Sequence, residues 1–441
     1  MPHHRRGRAQ EGSAPALLRE REEVGLRRAA GVVTLLAALG ASCTRSQPPV
    51  ATVLDAGACV CPSAVATPAP KLPPRPPRAE PTSEAHDIHP LAVCEANGQD
   101  PLQAAQAFGD DGKWEAALSC AAQAAAFMPT EPLAHVERGR ALVALERFDE
   151  AKLAYARALA QDPDSLEALL GAAHLYAVVM PSTREVDELG VLYSMRGFAL
   201  ASADAHHAQL ALELARVSAM ALNDVGRNQE AIEQAEWVLA RVKNDPEAAF
   251  ERAVGLFERC AFAEAKGAFE RLLGDETRAG HAHFHLGLLL EREGKQAEAE
   301  KHLAKAQRLA PEQFWPPVLL PMPEFKKELD ALVAALDPEV QRDLEGVPIT
   351  AEELPDVADL TTGEPPLSPT ILGLFRGPPL QEVCTPEDGT PCRSVVLYRK
   401  NLGRAVKTRE ELIHQMRVTL LHEIGHLRGE DDGELAARGL E

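Results

Sequence analysis

His422, Glu423 and His426 stand together in Leu421-His422-Glu423-Ile424-Gly425-His426-Leu427-Arg428-Gly429-Glu430-Asp431-Asp432. On a helix, residues four apart share a face, so the two imidazoles converge as a tetrahedral zinc requires. Glu423 projects beside them and is placed to take a proton from a water that the metal activates. Gly429 suits a left-handed helix end, and the turn it allows can bring an acidic side chain of Glu430, Asp431, Asp432 or Glu434 back as a third donor. The expected chemistry is hydrolysis with Zn2+ as cofactor.

Such a pair needs a rigid helix. Thr408 and Glu411 have the spacing of a capping box, and Leu412, Ile413, Met416, Leu420, Ile424 and Leu427 recur at helical intervals. The pattern predicts an amphipathic helix from about Arg409 to Arg428.

Around this helix the sequence resembles the small zincin-like metallopeptidases, the acidic minimal metalloproteases. The likeness rests on H-E-x-x-H-x-x-G-x-x-D from His422 to Asp432, the apolar strand Val395 to Leu402, Ile371 to Gly377, and a helix-like Phe325 to Leu336 followed by Val347-Pro348-Ile349. It spans about Glu324 to Glu441. The resemblance implies a small α+β zincin fold, zinc held by His422, His426 and Asp432, and Glu423 as general base. It also implies that Val395 to Tyr398 is a sheet edge on which a peptide substrate lies as an added strand. Tyr398 is a conceivable oxyanion donor and receives no role. One departure is an insertion bounded by Cys384 and Cys392 and rich in Pro386, Asp388, Gly389 and Pro391. Short loops of turn formers cost little entropy to close, so an oxidising compartment predicts a Cys384–Cys392 disulfide.

Upstream, one phrase recurs: Trp114 to Ala117, Phe148 to Ala151, Asn228 to Ala231, Phe262 to Ala265 and Lys295 to Ala299. Ala117 and Ala151, Ala231 and Ala265, and Ala265 and Ala299 each lie 34 residues apart, the period of the tetratricopeptide repeat. Gly139 and Gly287 fall in its small positions, and Pro129, Pro163 and Pro311 in its helix-ending positions. The interval from Ala151 to Ala231 is 80 residues, 12 more than two periods, which predicts an irregular repeat with Gly171 in the small position and an insertion near Met180 to Asp187. Stacked hairpins leave a groove that suits an extended peptide or a partner helix. His281 and His285, which share a helix face there, and His283 beside them read as solvated or groove-lining rather than as metal ligands.

The 441 residues carry 46 Lys+Arg against 66 Asp+Glu, a net charge of -20, which repels phosphate backbones and anionic lipid head groups and argues against sequence-independent nucleic-acid binding and electrostatic membrane docking. Aromatics at 4% argue against an all-β fold. The apolar run Ala29 to Ser42 follows Arg27 and Arg28, is short for a membrane span, and reads as a secretory signal. Gly40-Ala41-Ser42 before Cys43 resembles a bacterial lipoprotein cleavage box, which implies acylation of Cys43. Eleven of the 34 prolines lie between Pro48 and Pro90, an extended spacer.

The expected architecture is multidomain: a signal segment over 1–42, a Pro-rich linker over 43–92, an all-α tetratricopeptide-repeat superhelix over 93–313 and a small α+β zincin-like domain over 314–441. The expected function is a zinc metallopeptidase, an endopeptidase tethered through a lipid anchor in the bacterial cell envelope. Its expected partners are a protein substrate positioned by the repeats and a protein in the repeat groove. The alternative is a repeat-based scaffold lipoprotein whose terminal domain binds zinc but turns over weakly.

Overall fold

A computed structural model describes residues 93–95, 98–384 and 391–440. The signal segment, Cys43 and the Pro-rich linker lie outside the described residues.

From residue 101 the chain forms a series of paired helices: α1 (Pro101–Asp110), α2 (Trp114–Phe127), α3 (Pro132–Ala144), α4 (Phe148–Gln161), α5 (Leu166–His174), α6 (Arg184–Ser202), α7 (Ala208–Asp224), α8 (Asn228–Leu239), α9 (Pro246–Glu258), α10 (Phe262–Arg271), α11 (Ala279–Arg292) and α12 (Gln296–Leu309). The first helix of several hairpins starts at an acidic cap followed by proline. Asp100 accepts from Leu102 and Gln103, Glu131 from Leu133, and Asp245 from Ala248. Proline at that position loses nothing, since its missing N–H has no helical partner there. The small positions are real close approaches: a Cβ on Gly139 would lie 2.8 Å from the Tyr155 ring, and one on Gly171 only 2.3 Å from it. The irregular repeat absorbs its extra residues in a π-turn, Leu175–Val179, and in the long α6. Ahead of α1, a Cys94–Cys120 disulfide pins the chain to α2. Nothing in the cysteine spacing foretold it. No helix among the described residues is long and apolar enough to cross a membrane.

The terminal region is α+β. It runs α13 (Met322–Ala334), α14 (Pro338–Asp343), β1 (Ile349–Glu352), α15 (Val357–Leu360), β2 (Gly373–Arg376), β3 (Ser394–Tyr398), α16 (Arg399–Ala405), α17 (Arg409–Leu427) and α18 (Asp432–Ala437). The sheet order is β1-β3-β2, with β1 parallel and β2 antiparallel to β3. Two expectations are corrected here. Val395 to Tyr398 is the central strand rather than an edge, and the chain turns helical at Arg399 instead of continuing extended to Leu402. The cause of the first is legible in hindsight, because four consecutive apolar side chains, all buried, suit a strand covered on both faces.

What covers the two faces differs. Val395 and Leu397 join Ala351, Phe325 and the inner row of α17, namely Leu412, Met416, Leu420, Ile424 and Leu427. Val396 and Tyr398 point the other way and pack with Leu360, Ile371 and Leu374 against Cys260 and Phe262 of the repeat array. The array is thus the second layer of this sheet. Ionic contacts reinforce the seam: Glu291 of α11 is buried against Arg404 and Lys400 of α16, and Arg292 donates to the carbonyl of Pro355 at 2.6 Å. Trp315 donates its indole N–H to Val406 at 2.9 Å.

Candidate metal centre

The capping box is formed as its residues foretold. Thr408 accepts from Glu411 N–H, Glu411 accepts from the Thr408 N–H, and α17 runs to Leu427. His422 and His426 therefore sit one turn apart near its C-terminal end, with their Nε2 atoms 3.0 Å from each other. After the helix, Gly429 adopts φ +86 and turns the chain back.

Four acidic residues follow the turn, and three are engaged elsewhere. Glu430 pairs with Arg438. Asp431 and Glu434 satisfy each other's backbone N–H groups in a second capping box, which starts α18. Asp432 is left to face the imidazoles, with Oδ1 3.5 Å from His422 Nε2 and 3.2 Å from His426 Nε2. Among the described residues, His422, His426 and Asp432 are the group that could hold a metal ion. Two imidazole nitrogens and one carboxylate oxygen form a donor set suited to a divalent transition metal.

The outer nitrogens are also spoken for. His422 Nδ1 lies 2.6 Å from the carbonyl of Leu440, and His426 Nδ1 lies 3.0 Å from that of Glu430. A carbonyl only accepts, so each Nδ1 carries a proton; the neutral ring then leaves its Nε2 lone pair for a metal, and the protonated ring offers an Nε2–H to Asp432. Neither carbonyl was visible in the sequence, because backbone groups leave no mark in residue types.

Glu423 is buried on the other flank, against β2. A Cβ on Gly373 would lie 3.0 Å from Glu423 Oε1 and 2.7 Å from the Thr419 methyl, so this close contact of strand and helix needs glycine. The N–H of Phe375 on β2 bonds to the Glu423 carboxylate. Burial raises the Glu423 carboxyl above the ordinary range, with the neighbouring imidazoles opposing. Burial also pushes both histidines down, but Asp432 and Glu423 outweigh it and the net direction is up. Asp432 is held low, since its bonds to the two imidazoles overcome its burial.

Cys384 and Cys392 are joined, with Cα atoms 5.8 Å apart. Tyr398 packs on the array side of the sheet, and among the described residues its hydroxyl has no hydrogen-bond partner. The expectation for the repeat histidines is corrected. His281 and His285 pack edge-on or stacked among Phe250, Phe257, Phe269 and Phe314. Burial lowers them to about 3 and about 4. Both are neutral, His281 buried and His285 half-buried against the aromatic rings. His283 instead meets His302 of α12 at 3.0 Å.

Residues 344–440 match the family profile described as zincin-like metallopeptidase, and residues 132–165 and 261–314 match two tetratricopeptide-repeat profiles. The chain carries a zincin-like metallopeptidase domain. Tetratricopeptide repeats precede it, and together they make a metallopeptidase-like protein with a repeat interaction region. A search of the curated proteins gives no match. Among solved structures, the chain is similar to YrrB, a TPR protein with an unusual peptide-binding site, at 16% identity over 44% of this chain and 94% of that one, TM-score 0.35. It is similar to PilF of Pseudomonas aeruginosa at 16% identity over 52% of this chain and 96% of that one, TM-score 0.40. PilW, a type IV pilus biogenesis factor, gives 17% identity over 48% and 94%, TM-score 0.40.

Proposed function

We propose that the protein is a zinc-dependent endopeptidase, exported and held at a bacterial membrane through acylated Cys43, whose repeats recruit a protein substrate. The observation that carries the catalytic part is the placement of Glu423. Its carboxyl is buried between the His422–His426–Asp432 cluster and strand β2, where a structural metal site would have no use for an acid. His422, His426 and Asp432 would hold the zinc, and three protein donors leave a fourth position for water or substrate. Bound zinc supplies Lewis acidity toward a peptide carbonyl and a water. Glu423 takes the proton of the attacking water at a carboxylate oxygen and passes it to the leaving amine nitrogen. Its raised basicity suits the first half of that task. With β3 central, the strand open to a substrate beside the metal helix is β2, whose outer edge can pair with an extended peptide.

The test is Glu423→Gln in the full chain, assayed by zinc content and by cleavage of a mixed-sequence fluorogenic peptide library. The variant keeps zinc and loses cleavage, whereas Asp432→Ala loses zinc. Equal cleavage by Glu423→Gln and parent sinks the general-base role. A second reading, the scaffold with weak turnover, draws on the array covering the sheet face opposite α17. Metal-loaded parent that cleaves nothing in the library favours it.

A further inference from the structure

The C-terminal end of α17 is held from outside by a segment that the chemistry above does not use. Leu380 donates its N–H to the carbonyl of Leu427 at 2.8 Å. Gln381 donates its side-chain amide to the carbonyl of Arg428, and Gly429 turns directly beneath that amide, where a Cβ would lie 3.0 Å from Gln381 Oε1. These carbonyls belong to the last turn of a helix, where no helical N–H remains to satisfy them. The five residues from Leu427 to Asp431 join the second histidine to Asp432, and within them Glu430 offers the carbonyl that orients His426. Whatever holds Leu427 and Arg428 therefore sets the distance between imidazole and carboxylate.

The holding segment has little to hold itself. Gln381, Glu382 and Val383 are exposed, and Val383 is 94% exposed, so no apolar burial offsets the roughly 1–2 kcal/mol of backbone entropy that each ordered residue costs. Two devices order it instead. Arg393, just before β3, donates to the carbonyls of Pro378 at 2.7 Å, Pro379 at 2.8 Å and Glu382 at 2.7 Å. Cys384 is cross-linked to Cys392, one residue from that arginine. The disulfide keeps the outgoing limb, Pro378 to Cys384, beside the returning limb, Pro391 to Arg393.

We propose that these two limbs form a redox-sensitive clamp, with Leu380 and Gln381 as positioning residues for the metal centre, a role that rests on the zinc reading above. Reduction by a dithiol transfers two electrons and two protons: the Sγ–Sγ bond becomes two thiols while the dithiol closes its own disulfide. The freed outgoing limb then releases Leu427 and Arg428, the turn at Gly429 loosens, and metal affinity falls. Oxidation restores it.

The experiment uses the full chain as oxidised parent, as dithiol-reduced parent with the dithiol removed, as Cys384→Ser/Cys392→Ser, and as Gln381→Ala with the disulfide intact. Zinc affinity is read by chelator competition. The Co2+-substituted visible spectrum reports ligand geometry, and hydrogen exchange of the amides of residues 424–430 is followed without metal. Reduction and the double variant weaken zinc binding about tenfold, the size typical of groups that orient metal ligands. They also shift the cobalt bands and speed exchange, and Gln381→Ala does the same more weakly. Reoxidation rescues the parent, and dithiol treatment leaves the double variant unchanged. Oxidised-parent affinity and exchange in the double variant overturn the clamp. Faster exchange at unchanged affinity overturns the positioning role. An oxidised parent that binds no zinc removes the zinc reading and, with it, the positioning role, while exchange alone still decides whether the limbs hold the helix end.

Discussion

The backbone carbonyl of Leu440 accepts the Nδ1–H of His422 at 2.6 Å, across 18 residues of sequence. The bond selects the imidazole tautomer whose Nε2 faces Asp432, so a residue far along the chain orients the first histidine of the motif. Leu440 is itself buried, which holds its carbonyl in place. Removing residues 440 and 441 strips the acceptor while leaving α17 intact. Zinc affinity measured by chelator competition should fall ten- to a hundredfold, the usual effect of losing such a partner, with unchanged helical circular dichroism.

Tyr398 gives the reverse expectation. Its ring is fully buried between the sheet and the array, and its hydroxyl finds no partner among the described residues. A buried unpaired hydroxyl costs about 1–3 kcal/mol, so Tyr398→Phe should leave stability unchanged or raise it by about 1 kcal/mol. Peptide cleavage should be unaffected. A large loss of kcat at unchanged stability would place the hydroxyl in the reaction and contradict its position on the array side.

Much of this organisation is readable from residues. The 34-residue period, the cap before α17 and the i, i+4 histidines each follow from local rules that packing does not override. Asp432 could not be separated from its three acidic neighbours by spacing alone. Its choice depends on Glu430 finding Arg438 and on Asp431 pairing with Glu434, which only the folded turn decides. The seam between array and domain was invisible for a related reason. Cys260 and Phe262 read as repeat residues, and nothing in their identity says that Val396 and Tyr398 will meet them from outside the array. The aromatic packing of His281 and His285 was missed because a histidine is equally at home in solvent and, once neutral, in a core.

Glu258 places a titratable group in that seam. It is buried at the end of α9 and bonds to Ser368 of the terminal domain, and one of its carboxylate oxygens has no partner among the described residues. Burial, opposed by Ser368, raises it from 4.5 to about 7. A carboxyl that is raised on folding favours the neutral form in the folded state. Its penalty is absent below about 4.5, grows through the interval, and is complete above about 7. The full difference corresponds to about 3 kcal/mol. Glu258→Gln should therefore match the parent in unfolding free energy near pH 4.5 and exceed it increasingly up to pH 8. A parallel pair of stability–pH curves would show that the carboxyl is solvated.

Glu291 and Arg404 supply the sharpest mechanical test of the seam. The two side chains are 2% and 9% exposed, and Lys400 approaches the same carboxylate at 3.4 Å. Both cations belong to α16, while Glu291 is the array's contribution, so Glu291→Ala leaves the buried Arg404 without its carboxylate and leaves Lys400 its bond to Gln296. Removing one partner of a buried pair costs about 3–5 kcal/mol. By contrast, Arg409 pairs with Glu324 and Glu328 in a setting where the arginine is 51% exposed, and exposed pairs contribute about 0–1 kcal/mol. Chemical denaturation of Glu291→Ala and Arg409→Ala should separate the two by several kcal/mol. If the array and sheet part as a result, Val396, Tyr398, Leu360 and Ile371 become accessible, and Glu291→Ala should bind a hydrophobic reporter dye below its unfolding midpoint while Arg409→Ala does not. Equal destabilisation by the two variants, with no dye binding, would mean that the apolar contacts of Cys260 and Phe262 hold the seam without ionic help.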